Sequence, residues 1–432
     1  MAGAPRGNGP IRTLRTRAWR LVRRLGLVPG GVADGLGEDE SLLGTTLPHR
    51  VMVYFPDPPG SLYQLEQWYA VLRELDTVHR VVVVLRDSRT ARSVRERSGL
   101  DAIVVARPAT VEDLLSRSAV RLAIYVNHNP ANFTNLRLSS MAHVNVMHGD
   151  SDKGVTVSNQ FKAYDFNFVA GQAAIDRIAR HITFYDPSAR CIAVGRPQVE
   201  EQMALIMAAP PADGDPRTTV LYAPTWEGSE PAAAYGSIVT HGEALVSALL
   251  ATGGHRVVYR PHPLSGCSDP VYGDADARVR LLIAAAGGDH RVDTTVSLAS
   301  SIAGADVLVC DVSGVAMDWL PTGRPLVMTV PECTSAVPAS TALTDLVPRI
   351  SVDGLDQAVA IIDSAASDPE LSERVRRLTE YHLGDTTPGA STRKFVDACT
   401  AVMATFDASR FFERTHDAQP GTDVPVTTTK GF

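Results

Sequence analysis

The chemistry in this chain gathers where apolar strands end. In NVMHGDSDKG, Asn145 to Gly154, His148 and Lys153 stand around two aspartates, directly after the apolar run MAHVNVM. A buried strand that runs into a polar, glycine-containing turn is where α/β proteins expose reactive groups, because the strand fixes the backbone and the loop presents the side chains. An imidazole near its unperturbed pKa of about 6.5 can take a proton from a weak nucleophile at neutral pH. VVYRPHPLSG holds a second candidate: Arg260 and His262 follow an apolar strand, and Pro261 and Pro263 stiffen the turn around the imidazole. An arginine and a histidine so close together suit a phosphate; the structural alternative is a histidine bonded within its own turn. In ADVLVCDVSGVAMDWL the strand Val307 to Cys310 ends at Asp311, and a helical pattern begins within Val312-Ser313-Gly314. Backbone N–H groups and the helix dipole there form an anion site to which Ser313 can add a hydroxyl. The alternative is Ser313 as a plain N-cap, with Asp311 solvating the loop.

Other strand ends carry weaker signals. LYAPTWEG places Thr225, Trp226 and Glu227 after an apolar strand. Trp226 reads as structural and Glu227 as a loop charge. VGRPQVE sets Gly195, Arg196 and Pro197 where the chain should cross between domains, as a hinge and a phosphate contact. Cys310 reads as a small core residue rather than a nucleophile.

These loops need a scaffold, and the spacing of apolar runs supplies one. RVMVYF, RVVVVLR, AIVVA, RLAIYV, AHVNVM, FNFVA and RCIAVG alternate with helical segments such as YQLEQWYAVLREL and ATVEDLLSRSA. Strands that are apolar throughout, separated by helices, indicate a parallel sheet covered on both faces. After the Pro/Ala/Gly-rich break AAPPADGDPR, a second set follows: TTVLYA, HRVVYR, ADVLVCD and PLVMTV. The expected fold is therefore α/β, with two Rossmann-like domains facing a cleft, at 48–207 and 217–385. STRKFVDACTAVMATF gives a late helix packing back across the pair (386–415), and 416–432 lacks apolar periodicity and reads as a disordered tail.

Composition limits the function classes. Hydrophobic residues at 44% and charged residues at 21% fit a soluble globular protein, and no apolar run approaches the roughly 20 residues that a spanning helix needs. The five cysteines are scattered without a CxxC pair, which argues against a disulfide framework or a zinc knuckle and fits a reducing cytoplasm. The net charge of −7 hides an asymmetry: residues 1–31 hold seven arginines and no acid, so the remainder carries −14. Within PIRTLRTRAWRLVRRLGLVPGG, Ile11, Leu14, Ala18, Leu21, Val22 and Leu25 share one helical face. This segment reads as an amphipathic helix whose residues 10–28 meet an anionic membrane surface, followed by a linker at 32–47. A transit peptide, a nucleic-acid arm and a plain solvated helix are the alternatives weighed for it. The resulting expectation is a cytoplasmic protein, peripheral on the cytoplasmic face of the cell membrane, with no nucleic-acid partner.

Taken in order, HGDSDK, YAPTW, RPHP, CDVSGVAMD and RPLVM resemble the CDP-glycerol glycerophosphotransferase family, the teichoic-acid polymerases and primases. The resemblance extends over roughly 120–385 and is best from Leu221 to Val330. It implies a GT-B-like fold that transfers a polyol phosphate from a CDP-activated donor to a hydroxyl of a lipid-linked or polymeric acceptor, releasing CMP. It further implies His148 as the general base and His262 as the histidine at the donor phosphate. Ser313 is implied at the phosphate-binding helix start, with Arg260, Gly314, Asp311 and Thr225 on the donor side and Gly149, Lys153 and Arg196 in support. Two positions depart from the family: Val312 and Gly314 stand where a tyrosine and a second serine are usual, removing one hydroxyl contact. The loop, too, reads HGDSDKG rather than the family's HGTPLK style. No tightly bound cofactor is implied, and no carboxylate cluster resembles a magnesium cage. The competing readings are a nucleotide-sugar glycosyltransferase or epimerase of the same fold, and a non-catalytic scaffold that binds nucleotide or polymer.

Overall fold

The apolar runs of the sequence form two parallel sheets. The computed structural model describes residues 38–149, 158–208, 216–228, 234–295, 298–330 and 341–416. The arginine-rich N-terminal segment, Asp150, Asp152, Lys153 and the tail beyond His416 lie outside these residues. The first sheet contains β1 (Val51–Phe55), β2 (Val81–Leu85), β3 (Asp101–Val104), β4 (Leu122–Tyr125), β5 (Ala142–Asn145), β6 (Phe166–Val169) and β7 (Cys191–Ala193), in the order β3-β2-β1-β4-β5-β6-β7. The second contains β8 (Thr218–Ala223), β9 (His255–Tyr259), β10 (Arg291–Val292), β11 (Val307–Cys310), β12 (Leu326–Thr329) and β13 (Arg349–Ile350), in the order β10-β9-β8-β11-β12-β13. Both are the doubly wound order, and in each the strand sequence reverses once, between β1 and β4 and between β8 and β11. An open parallel sheet leaves a crevice at that reversal, outside the carboxyl ends of the strands.

Every residue of β1, β2, β4, β5, β11 and β12 is buried, as strands covered by helices on both faces require. The covering helices are amphipathic and locally specified. Asp87, Asp269 and Asp368 each accept backbone N–H bonds at a helix start, and the last two precede a proline at the first helical position. The expected helix over YQLEQWYAVLREL is two helices, Tyr63–Glu66 and Tyr69–Val78, with Trp68 buried at their junction.

The chain crosses between domains twice. Helix Pro369–Leu383 buries Leu371, Val375, Leu378 and Leu383 in the second-domain core. Helix Ala390–His416 then packs under the first sheet, with Phe395, Cys399, Val402 and Met403 in the core that holds β1 and β5. Its start is capped from a distance: the Glu200 carboxylate accepts the Ser391 and Thr392 N–H groups at 2.8 and 3.0 Å. Farther along, Asp407 pairs with Arg50 and Arg121 at 2.9 and 2.8 Å. At Gly171 an added Cβ would lie 2.5 Å from the His382 carbonyl oxygen, so the two segments meet backbone to backbone.

Phe395 is the centre of this return packing, fully buried with its ring 5.5 Å from Trp68 and 5.8 Å from Phe168. Phe395→Ala should lower stability by about 3–5 kcal/mol, as large-to-small changes in aromatic cores do. Urea denaturation followed by circular dichroism measures it; a loss under 1 kcal/mol would show the helix to be a dispensable appendage.

Candidate functional site

In the first domain, the loop after β5 is held in an uncommon backbone conformation. Met147 has φ of +54°, a region that residues with a side chain rarely adopt. Two bonds hold it there: the Trp68 indole N–H donates to the Met147 carbonyl at 3.0 Å, and the Met147 N–H reaches the buried Asn145 amide oxygen at 3.4 Å. The next residue is His148, half-buried, with the exposed Tyr63 ring edge-on at 6.3 Å. Burial lowers the His148 pKa, against a hydrogen bond to the Val126 backbone and the charge of Asp57. A lowered pKa leaves the imidazole unprotonated at neutral pH. Its Nδ1 is buried and has no hydrogen-bond partner among the described residues. Gly149 is exposed beside it.

Sequence reasoning passed over the neighbouring loops. Asp57 follows β1, and Asn127, His128 and Asn129 follow β4, so these four face one another across the reversal in strand order. Asn127 Nδ2 donates to Asp57 Oδ2 at 3.1 Å and to Gln64 Oε1 at 2.7 Å, and Asn129 Nδ2 donates to Asp57 Oδ1 at 2.8 Å. The available signal was positional: polar residues directly after strands that flank a switch point.

The second domain has the corresponding arrangement. Thr225, Trp226 and Glu227 follow β8, His262 follows β9, and Asp311 and Ser313 follow β11. His262 Nδ1 accepts the Leu264 N–H at 3.1 Å, which fixes the tautomer with the proton on Nε2. The His262 ring stacks on Trp226, with centroids 6.0 Å apart and planes 15° apart. Trp226 is thus a support for the candidate histidine rather than general packing. Glu227 is not a loop charge but a buried clamp: its carboxylate accepts the N–H groups of Gly266, Ser268 and Asp269 at 3.0, 2.7 and 3.1 Å, closing the turn that carries His262. Although its burial acts in the opposite direction, these backbone bonds hold its pKa below the usual value.

Ser313 occupies the cap position of helix Gly314–Trp319 but caps nothing. Its hydroxyl is buried and has no partner among the described residues, which leaves a hydrogen-bonding group to be satisfied at the sheet edge. Val312, in place of the family's tyrosine, is 3% exposed and belongs to the core. Cys310 is likewise buried core, its thiol pKa raised well above the ordinary value by burial.

Three donor-side expectations change. Asp311 does not solvate its loop or face the cleft; it is fully buried, with Oδ2 accepting the N–H groups of Thr225 and Ser237 at 2.7 and 3.1 Å and Oδ1 accepting the Thr329 hydroxyl. Burial raises its pKa, opposed by the bonds from Ser237, Thr329 and Thr225. Thr225 is accordingly buried, its N–H held by that carboxylate. The Arg260 guanidinium is turned to the Thr295 carbonyl at 2.9 Å, the Ser301 hydroxyl at 3.3 Å and the Asp293 carboxylate at 3.5 Å. Its position therefore shapes the loop after β10. Arg196 pairs with Asp318 of the second domain at 2.5 Å, and also lines a narrow cavity with Met147 and Gly149. Among the described residues no group of three or more His, Cys, Asp and Glu side chains is placed to hold a metal ion.

Residues 198–336 match the family model described as CDP-Glycerol:Poly(glycerophosphate) glycerophosphotransferase. That span contains Thr225, Arg260, His262, Asp311, Ser313 and Gly314, and the match bears out the resemblance drawn from the motifs over about the middle third of the chain. No curated protein matches the chain in sequence. Among solved structures, a glycosyltransferase from Rickettsia africae ESF-5 is 10% identical, with 82% of this chain and 98% of that chain covered at a TM-score of 0.52. A structure of the wall teichoic acid polymerase TagF is 12% identical, with coverage of 91% and 96% and a TM-score of 0.50. The UDP complex of MnaA from S. aureus is 10% identical, with coverage of 81% and 95% and a TM-score of 0.50. At such identities the likeness is one of fold, two Rossmann-like domains in the GT-B-like arrangement.

The bonds of Asp311 set an isosteric test. In Asp311→Asn the amide oxygen can keep both backbone N–H groups while its nitrogen donates to the Thr329 hydroxyl, so stability should fall by about 1 kcal/mol or less. Asp311→Ala strands two buried N–H groups and should lose about 3 kcal/mol or more. Thermal unfolding of both variants measures the difference; equal losses would mean that the carboxylate does not organise the strand ends.

Proposed function

We propose that this enzyme transfers a polyol phosphate from a CDP-activated polyol to an acceptor hydroxyl and releases CMP. The supporting observation is the pair formed by His262, stacked and tautomer-fixed, and Ser313, buried and unpartnered. Both stand at the carboxyl edge of the second sheet, within the span that matches the glycerophosphotransferase family model.

The acceptor oxygen attacks the phosphorus that carries the polyol. A new P–O bond forms, the bond from that phosphorus to the bridging oxygen breaks, and its electron pair leaves with CMP. His148, unprotonated because burial lowers its pKa, takes the hydroxyl proton as the new bond forms. On the opposite domain, the His262 Nε2–H and the Ser313 hydroxyl donate hydrogen bonds to the diphosphate, where negative charge shifts toward the leaving group. Arg196, held by Asp318, keeps the His148 wall and the Ser313 helix in register.

His148→Ala should reduce turnover by about 10²–10⁴-fold while the affinity for CDP-glycerol stays within about twofold, because the base acts on the acceptor. The acid limb of the wild-type kcat/KM profile should lie below pH 6.5, the side to which burial shifts His148. His262→Ala and Ser313→Ala should instead weaken donor binding by about ten- to a hundredfold each, the worth of one hydrogen bond to a charged group. Nucleotide release from CDP-glycerol, CDP-ribitol and UDP-sugars, with calorimetry of CDP binding, tests these roles. UDP release, wild-type-like turnover of His148→Ala, or unchanged CDP binding in both second-domain variants would overturn the corresponding assignment.

The acceptor is proposed to be lipid-linked or polymeric, reached at a membrane surface through residues 10–28. No helix among the described residues is long and apolar enough to cross a membrane, and the chain beyond residue 31 is acidic. Attachment to an anionic leaflet therefore falls to the seven arginines, each contributing on the order of 1 kcal/mol near the surface. Sedimentation with anionic vesicles should weaken in high salt and disappear for a protein starting at Ala33. Undiminished sedimentation of the shortened protein would place the anchor elsewhere.

A further inference from the structure

His128 is the least explained side chain of the first domain. It follows β4 at the reversal of strand order, in the crevice where open parallel sheets take their ligands. Both ring nitrogens are buried, and neither has a hydrogen-bond partner among the described residues. The ring itself is firmly placed, 5.2 Å from Phe161 and 5.9 Å from Tyr164. An imidazole packed against aromatic rings, with both polar atoms unmatched, is costly in a folded protein unless something else matches them. Within the same crevice lie Asp57, bridged by Asn127 and Asn129, and the His148 ring with its own unpartnered Nδ1.

We propose that this crevice is the polyol subsite of the acceptor, and that His128 holds an acceptor hydroxyl in position for His148. The inference rests on the reading of the chain as a polyol-phosphate transferase and adds where the acceptor lies. The chemistry favours an alcohol over a phosphate. A neutral imidazole offers one donor and one acceptor, the complement of a hydroxyl, whereas a phosphate needs donors or positive charge. Burial and the nearby His148 lower the His128 pKa to about 4, so the ring is neutral at physiological pH. Asp57 adds negative charge, which repels phosphate and tolerates a diol. His128 is thus a positioning residue, and the proton goes to His148.

The test uses the full chain, CDP-glycerol as donor and a synthetic glycerol phosphate oligomer as acceptor probe. His128→Phe keeps a ring between Phe161 and Tyr164 and removes only the polar atoms. It should raise the oligomer KM by about tenfold or more, the worth of one or two neutral hydrogen bonds, with the CDP-glycerol KM unchanged. His128→Gln, which again offers a neutral donor and acceptor, should recover most of that loss. A merely structural histidine predicts instead an unchanged oligomer KM and an equal or higher melting temperature for the Phe variant; that result overturns the proposal, as does an equal rise in both KM values. A second readout is independent of turnover. In protein labelled with ¹³Cε1-histidine, the His128 signal, assigned by its loss in His128→Phe, should shift on titration with the oligomer. A shift in wild-type protein that releases no CMP would sink the proposed reaction and leave the subsite standing. CMP release with an unmoved signal and unaltered KM in the variant would sink the subsite and leave the reaction.

Discussion

The buried carboxylate of Asp311 is the contact on which the second domain's edge depends. It lies after β11, yet it accepts the N–H of Thr225 after β8, the N–H of Ser237 beyond it, and the hydroxyl of Thr329 at the end of β12. Three chain segments at one sheet edge thereby converge on a single side chain. Burying a carboxylate is unfavourable unless such bonds compensate, and here burial raises the pKa against the bonds that lower it. The arrangement fixes the Thr225 backbone, hence Trp226, hence the ring on which His262 stacks. Binding a phosphate as proposed at this edge, with neutral donors, would require this rigidity, because such donors are effective only when they need not reorganise.

The first domain applies the same device with a different balance. Asp57 after β1 is bridged to Asn127 and Asn129 after β4, again across the strand reversal. Here the partners are side-chain amides, and His128 follows β4 between two of them. The two domains thus place polar groups at equivalent positions of equivalent sheets and give them opposite character. One edge carries an indole-backed imidazole and a buried, unpartnered hydroxyl; the other carries two imidazoles beside side-chain amides. Arg196 and Asp318 join the two across the boundary, and the return of helix Ala390–His416 under β1 and β5 anchors the second domain's C-terminal segment on the first.

Much of the scaffold was legible because strand burial imposes composition. Runs such as VVVVL and VLVC are short and β-branched, as fully covered strands are, and helices between them make the sheets parallel. The positions of His148 and His262 after strand ends were legible for the same reason, both following such runs. The roles of Asp311, Arg260 and Glu227 were not, since a charge after a strand can turn outward to a ligand or inward to the backbone. The choice depends on loops distant in sequence: Thr225 is 86 residues from Asp311, and Thr295 is 35 residues from Arg260. His128 was passed over because NHNP resembles an ordinary turn; its neighbours Asn127 and Asn129 meet Asp57 only after the sheet has formed.

The departures from the family motif can be understood in these terms. Val312 turns into the core, where a tyrosine would have brought a hydroxyl, and Gly314 begins the helix without a side chain. What remains in the proposed donor site is Ser313, the backbone of a short helix, and His262. The Glu227 clamp on the turn after β9 then gains importance, because it limits how far His262 can shift. A proposed site with fewer hydroxyl donors relies more heavily on the placement of each, and placement here is set by two buried carboxylates whose bonds go to the protein's own backbone N–H groups.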